Sequence, residues 1–137
     1  MKLDAIHHVA IIVSDYEKSK EFYVNKLGFP IIRENYRPER HDYKLDLACG
    51  QVELEIFGNV ISDPAYQMPP KRIGRPEFDR EACGLRHLAF RVDNIEAYVE
   101  RLLSLGIPVE PIRCDDYTHK KMTFFFDPDG LPLELHE

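Results

Sequence analysis

The sequence predicts an α+β chain built from two βαβββ modules whose curved mixed sheets form a cup, and three observations carry that expectation. An octapeptide recurs, Ile6-His7-His8-Val9-Ala10-Ile11-Ile12-Val13 being echoed by Leu85-Arg86-His87-Leu88-Ala89-Phe90-Arg91-Val92. Each copy is followed by a helical segment ending in Leu-Gly, at Leu27-Gly28 and Leu105-Gly106. Each then offers three short strand-like runs. A duplicated module dictates the architecture of the whole, so the repeat comes first.

Both octapeptides read as strands, because apolar residues fall at every second position: Val9, Ile11, Val13 and Leu88, Phe90, Val92. His8 and His87 then lie on the opposite face. Capping boxes, Ser14-Asp15-Tyr16-Glu17 and Asp93-Asn94-Ile95-Glu96, mark the helix starts. The first helix is expected over Tyr16–Leu27 with Phe22, Tyr23 and Leu27 on one side. The second places Ile95, Tyr98, Val99, Leu102 and Leu103 at helical spacing, and both stripes read as core. Gly28 and Gly106 suit the left-handed position that closes a helix.

Further strands are expected at Phe29–Arg33, Tyr43–Leu47 and Val52–Phe57, and in the second copy at Val109–Cys114, Lys121–Asp127 and Leu131–His136. A Pro128-Asp129-Gly130 turn joins the last two. Residues 1–57 and 85–137 are thus the modules. The stretch 58–84 holds four of the ten prolines (Pro64, Pro69, Pro70, Pro76) and reads as their connector.

Composition bounds the function. The 137 residues, 44% hydrophobic and 31% charged, suit one compact domain or two small fused modules. Apolar stretches such as Val9–Val13 are too short to span a bilayer and no signal peptide is evident, so a cytoplasmic protein is expected. A net charge of -6 with no basic stripe disfavours nucleic-acid and anionic-membrane partners. Three cysteines, Cys49, Cys83 and Cys114, without a CxxC pair, do not make a disulfide framework or a zinc-thiolate site. Zincin, nucleotide-binding and serine-hydrolase signatures are absent.

Chemistry is concentrated in the repeat. His8 and His87 are 79 positions apart, and so are Glu55 and Glu134. Two metal-ligand residue types therefore recur in register, each His opening its module and each Glu in its last strand. Alternation puts Glu55 with Glu53 and Phe57, opposite Leu54 and Ile56, and puts Glu134 with Pro132 and His136, opposite Leu133 and Leu135. If the aliphatic faces meet the helices, both carboxylates turn to the side of the histidines. Two imidazoles and two carboxylates suit Zn or Ni, with Co and Mn as further candidates. Glu53 competes with Glu55, but its repeat counterpart is Pro132; His7 falls on the Val9 face; His136 is positioned to line the pocket or support a ligand. The basic residues Lys71, Arg72, Arg75, Arg37, Arg40, Lys120 and Lys121 form either an anion-receiving surface or a solvated one.

Paired βαβββ modules with these residues resemble the vicinal oxygen chelate superfamily, which includes glyoxalase I. Further echoes are Phe22-Tyr23, Leu27-Gly28-Phe29, Leu54-Glu55-Ile56-Phe57 and Asp127-Pro128-Asp129-Gly130-Leu131-Pro132-Leu133-Glu134-Leu135. The resemblance implies that His8, Glu55, His87 and Glu134 ligate the metal. It further implies an isomerase or lyase acting through a metal-bound enediolate, with a ketoaldehyde-thiol hemithioacetal as the candidate substrate, Glu134 as the base and Glu55 as the second candidate. The same superfamily holds dioxygenases, thiol transferases and non-catalytic resistance proteins that bind small molecules, which stand as alternatives. A homodimer is expected, with each site formed within one chain or across two.

Overall fold

The computed structural model describes residues 1–70 and 83–137. The chain divides into two compact units, Met1–Pro70 and Lys71–Glu137. In the first, β1 (His8–Ile12) leads into α1 (Tyr16–Lys20), which continues as a π-helical stretch, Glu21–Lys26. Strands β2 (Ile31–Arg37), β3 (Asp42–Cys49) and β4 (Val52–Gly58) follow. The sheet order is β1-β4-β3-β2, with β1 parallel to β4 and the other neighbours antiparallel. The second unit repeats this plan with β5 (Leu88–Arg91), α2 (Ile95–Ser104), β6 (Arg113–Cys114), β7 (Lys121–Phe126) and β8 (Pro132–His136) in the order β5-β8-β7-β6. Two four-stranded mixed sheets, each with its own helix, are the βαβββ architecture expected from the repeat.

Strand alternation sorts the side chains into two faces. In the first unit Ile11, Val13, Leu45, Leu47, Leu54 and Ile56 are buried together with Tyr16, Phe22 and Tyr23 of the helix. In the second unit Leu133, Leu135, Phe125, Ile95 and Leu102 are buried likewise. Removing this apolar area from water is the main force closing each unit. The alternate positions of the central strands carry Glu55 and Glu134 to the other face.

Four local expectations are corrected. The caps are Asp15 and Asn94, one residue later than Ser14 and Asp93: their side chains accept from the amides of Lys18 and Ala97, both at 3.1 Å. Glu17 and Glu96 then sit too early in the helix to close a capping box. The first helix is not α-helical to Leu27. The Leu27 amide donates to the Phe22 carbonyl five residues back, and this wider turn turns both Phe22 and Tyr23 inward. In α2 the buried line runs through Ile95 and Leu102, while Tyr98 and Leu103 flank it and are exposed. The strand expected over Val109–Cys114 shrinks to Arg113–Cys114 plus a single bridge from Val109 to Phe125, because Pro108 and Pro111 offer no amide to a ladder. Gly28 and Gly106 take the left-handed backbone, φ 81° and 74°, that closes each helix. Among the described residues no helix is long and apolar enough to cross a membrane.

One polar knot ties helix to sheet in the first unit. Glu34 of β2 accepts from the Tyr16 hydroxyl and from Lys20 Nζ at 2.9 and 2.8 Å, which lowers its carboxyl below the ordinary 4.5; the Lys20 bond is the larger cause. A depressed carboxyl stabilises the fold above its unfolded value, and that contribution fades as pH falls through the folded one. Glu34→Gln is expected to cost about 1 kcal/mol near neutrality, a modest figure because the pair is partly exposed. Denaturant melts at pH 7 and below pH about 4 check it: the gap between wild type and variant narrows on acidification.

Candidate metal centre

Each unit brings its own His and Glu together. In the first, β1 runs parallel to β4 with His8 opposite Glu53 and Ala10 opposite Glu55. His8 Nε2 reaches the Glu55 Oε2 at 3.4 Å. The competing Glu53 is drawn away by Arg33 Nη2 at 2.9 Å. His7 is turned edge-on to His8, ring Nδ1 to ring Nδ1 at 2.9 Å. The contact uses His8 Nδ1, which leaves Nε2 as the ring nitrogen turned toward Glu55. In the second unit His87, one residue ahead of β5, places Nε2 2.9 Å from Glu134 Oε2. The other oxygen of Glu134 meets His136 Nδ1 at 2.7 Å.

Burial makes these contacts consequential. Glu55 and Glu134 keep only 8% and 6% of their surface exposed, and a buried carboxylate without partners is costly. The two halves meet that requirement differently. Glu55 Oε1 is held by Lys44 Nζ at 2.8 Å, and this bond holds its carboxyl below the usual range. Lys44 also lies 3.3 Å from Asp46, the fully buried residue paired across from Glu55 in the sheet. Arg33 Nε is 2.6 Å from the same Asp46 carboxylate, so two cations compensate its charge by ion pairing even though its oxygens make no well-angled hydrogen bond. In the second unit the residue across from Glu134 is Phe124, and the one across from His136 is Met122. Imidazoles replace the ammonium, and an aromatic ring replaces the acid.

The donor set fits a divalent cation. Nitrogen and oxygen ligands bind zinc-like ions at about 2.0–2.2 Å, so two ligands side by side on one ion stand roughly 3 Å apart. The observed spacings, 3.4 and 2.9 Å, fall at that bite. Among the described residues no group of three or more His, Cys, Asp or Glu side chains is gathered as a metal set. Each unit supplies a pair rather than a complete site.

The remaining sequence candidates fall elsewhere. Lys71, Arg72 and Arg75 lie outside the described residues, as does the Pro76 part of the connector. Arg37 is spent on Asp42 at 2.6 and 2.7 Å and stacks over Phe57, and Lys121 pairs with Glu96. All three cysteines are free thiols, Cys49 half-buried and the others exposed. The sequence reading missed Lys44, Asp46 and Arg33. Their signal was available only through register, since Asp46 is identified as the neighbour of Glu55 once β3 is paired to β4.

Comparison with known proteins agrees with this architecture. The model of the Glyoxalase/Bleomycin resistance protein/Dioxygenase superfamily matches residues 5–135, and the chain belongs to that superfamily. It is 54% identical to YwkD of Bacillus subtilis (strain 168), over all of this chain and 99% of that protein. The crystal structure of SMU.1112c superposes with a TM-score of 0.93 at 68% identity, covering 99% of this chain and 100% of that one. A glyoxalase family protein from Enterococcus faecalis gives a TM-score of 0.83 at 55% identity, covering 100% of both chains. More distant relatives are named as a methylmalonyl-CoA epimerase, a metallothiol transferase and a probable lactoylglutathione lyase, so the superfamily spans epimerases, thiol transferases and lyases.

His136 supports Glu134 by one bond from Nδ1. His136→Ala is expected to weaken zinc or nickel binding about tenfold, while His136→Asn, whose amide stands where Nδ1 does, recovers most of it. Calorimetric metal titration of both variants checks this.

Proposed function

We propose that the chain is a divalent-metal-dependent isomerase or lyase of the glyoxalase type, in which His8, Glu55, His87 and Glu134 hold one ion. Two ligands come from each unit, with both units drawn from one chain or one from each of two partner chains. The carrying observation is the recurrence, in both units, of an imidazole Nε2 set against a buried carboxylate at ligand spacing. Zinc and nickel head the candidates, with cobalt and manganese behind them. A bound ion of this kind supplies a Lewis acid for substrate oxygens.

The chain's own part is proton transfer next to a carbonyl. A carboxylate removes the proton from the thiol-bearing carbon next to the carbonyl and returns it to the neighbouring carbon, while the hydroxyl proton passes to the former keto oxygen, so that a ketoaldehyde-thiol hemithioacetal becomes a thioester of a hydroxy acid. No atom is lost or gained. Glu134 is assigned as that base. Lys44 stands on Glu55 Oε1 at 2.8 Å and competes with an incoming proton, whereas among the described residues the ion-pair partners of Glu134 are imidazoles. His87 and His136 then steady the carboxylate, and its burial keeps bulk water from competing for the proton. The likeness to a probable lactoylglutathione lyase supports this class, and relatives named for epimerase and thiol-transfer activities share the fold. We further propose a small-molecule substrate, a homodimeric assembly and a cytoplasmic setting.

Glu134→Gln keeps an oxygen for the metal but removes the base. Rates with methylglyoxal hemithioacetals after restoring Ni, Zn, Co or Mn are expected to fall about 10²- to 10⁴-fold, with metal still bound. An unchanged rate removes Glu134 from the role, and wild-type inactivity with every metal and thiol removes the isomerase reading.

A further inference from the structure

The charged layer beside Glu55 is one that the fold does not need. Asp46 on β3 is fully buried, with Arg33 across the sheet on one side and Glu55 on the other. Taking such charges out of water is costly, and a buried ion pair is seldom more stabilising than apolar residues of similar volume. The second unit supplies the comparison. At the matching places, across from Glu134 and His136, stand Phe124 and Met122, and that sheet keeps the same strand order. Something other than folding therefore accounts for Lys44 and Asp46.

What the layer does is divide the carboxylate oxygens. Lys44 Nζ sits on Glu55 Oε1 at 2.8 Å, so Oε2 is the oxygen set against His8 Nε2. The ammonium is itself braced, by Asp46 Oδ1 at 3.3 Å and by the Phe57 ring, whose centre is 5.9 Å away. Arg33 completes the brace. Its Nε holds Asp46 Oδ2 at 2.6 Å, while its Nη2 holds Glu53, the residue opposite His8 in the register. A free carboxylate can offer both oxygens to one cation, whereas a carboxylate with an ammonium on one oxygen has the other to give.

We propose that Lys44, braced by Asp46, is a positioning residue that confines Glu55 to a one-oxygen metal ligand, through Oε2. Oε1 stays with the ammonium, so Glu55 fills one place on the ion and leaves another for water or a substrate oxygen. The inference rests on the reading of Glu55 as a ligand and adds how it binds. Lys44 acts through Glu55 and takes no part in the proton transfer.

The test counts water on the ion. Manganese(II) takes about six ligands, so four protein groups leave about two places for water, and the relaxation of water protons by the manganese-saturated full chain reports them. In Lys44→Met the freed Oε1 should close on the ion and lower that relaxation about twofold, with manganese bound at least as tightly as in wild type. Lys44→Arg, which keeps a cation on Oε1, should restore the wild-type value. A merely structural role would weaken binding and leave the water count of the saturated protein alone. Lys44→Met combined with Asp46→Asn removes the acid together with its counter-ion and gives the same reading should the single variant fold poorly. Relaxation that is unchanged or higher in the folded variants overturns the proposal. Glu55→Ala separates the two readings: manganese bound there at wild-type affinity, or not bound by wild type at all, removes Glu55 as a ligand and the proposal with it. Weakened binding in Glu55→Ala beside an unchanged water count in the Lys44 variants removes the positioning role alone.

Discussion

A buried carboxylate must be answered by positive charge or by hydrogen bonds, and in this chain that requirement falls on the same strand position twice. Glu55 and Glu134 occupy the strand that runs parallel to the first strand of each unit, where neighbouring side chains would ordinarily be apolar. An imidazole from the start of the unit answers each of them. The topology makes the pairing unavoidable: a βαβββ module brings its last strand back beside its first, so residues almost fifty positions apart become neighbours. Function on this fold therefore depends on what is placed at two strand positions and on what surrounds them.

The surroundings have diverged although the backbone plan has not. In the first unit Lys44, Asp46 and Arg33 form a charged layer beside Glu55. In the second unit Met122 and Phe124 take the corresponding places, and His136 supplies the second contact to Glu134. An ammonium anchors a carboxylate as an anion, and an imidazole orients it by a directed contact. One duplicated framework thus presents one carboxylate held by an ammonium and one held by two imidazoles.

Much of this was legible in the sequence, because the repeat preserves it. The sheet plan, both helices, the aliphatic cores and the facing of the glutamates followed from alternation at Leu54–Ile56 and Leu133–Leu135. What was not legible depended on geometry with no periodic trace. The π-helical turn through Phe22 and Tyr23 leaves no signature distinct from an ordinary helix. The cap moved by one residue because Ser14 and Asp15, like Asp93 and Asn94, are both good caps, and only the entry angle of the chain selects between them. Lys44 and Asp46 were hidden by register, since the offset that aligns the two copies elsewhere shifts by one between β3 and β7.

The account is tested most directly by counting metal ions. Native mass spectrometry of nickel-loaded protein should find one ion per chain, and His8→Ala and His87→Ala should each abolish it, although the substitutions lie in different units. Two ions per chain, or an ion that survives in either variant at wild-type affinity, would mean that the two imidazole–carboxylate pairs act independently, contradicting the shared centre on which the proposed chemistry depends.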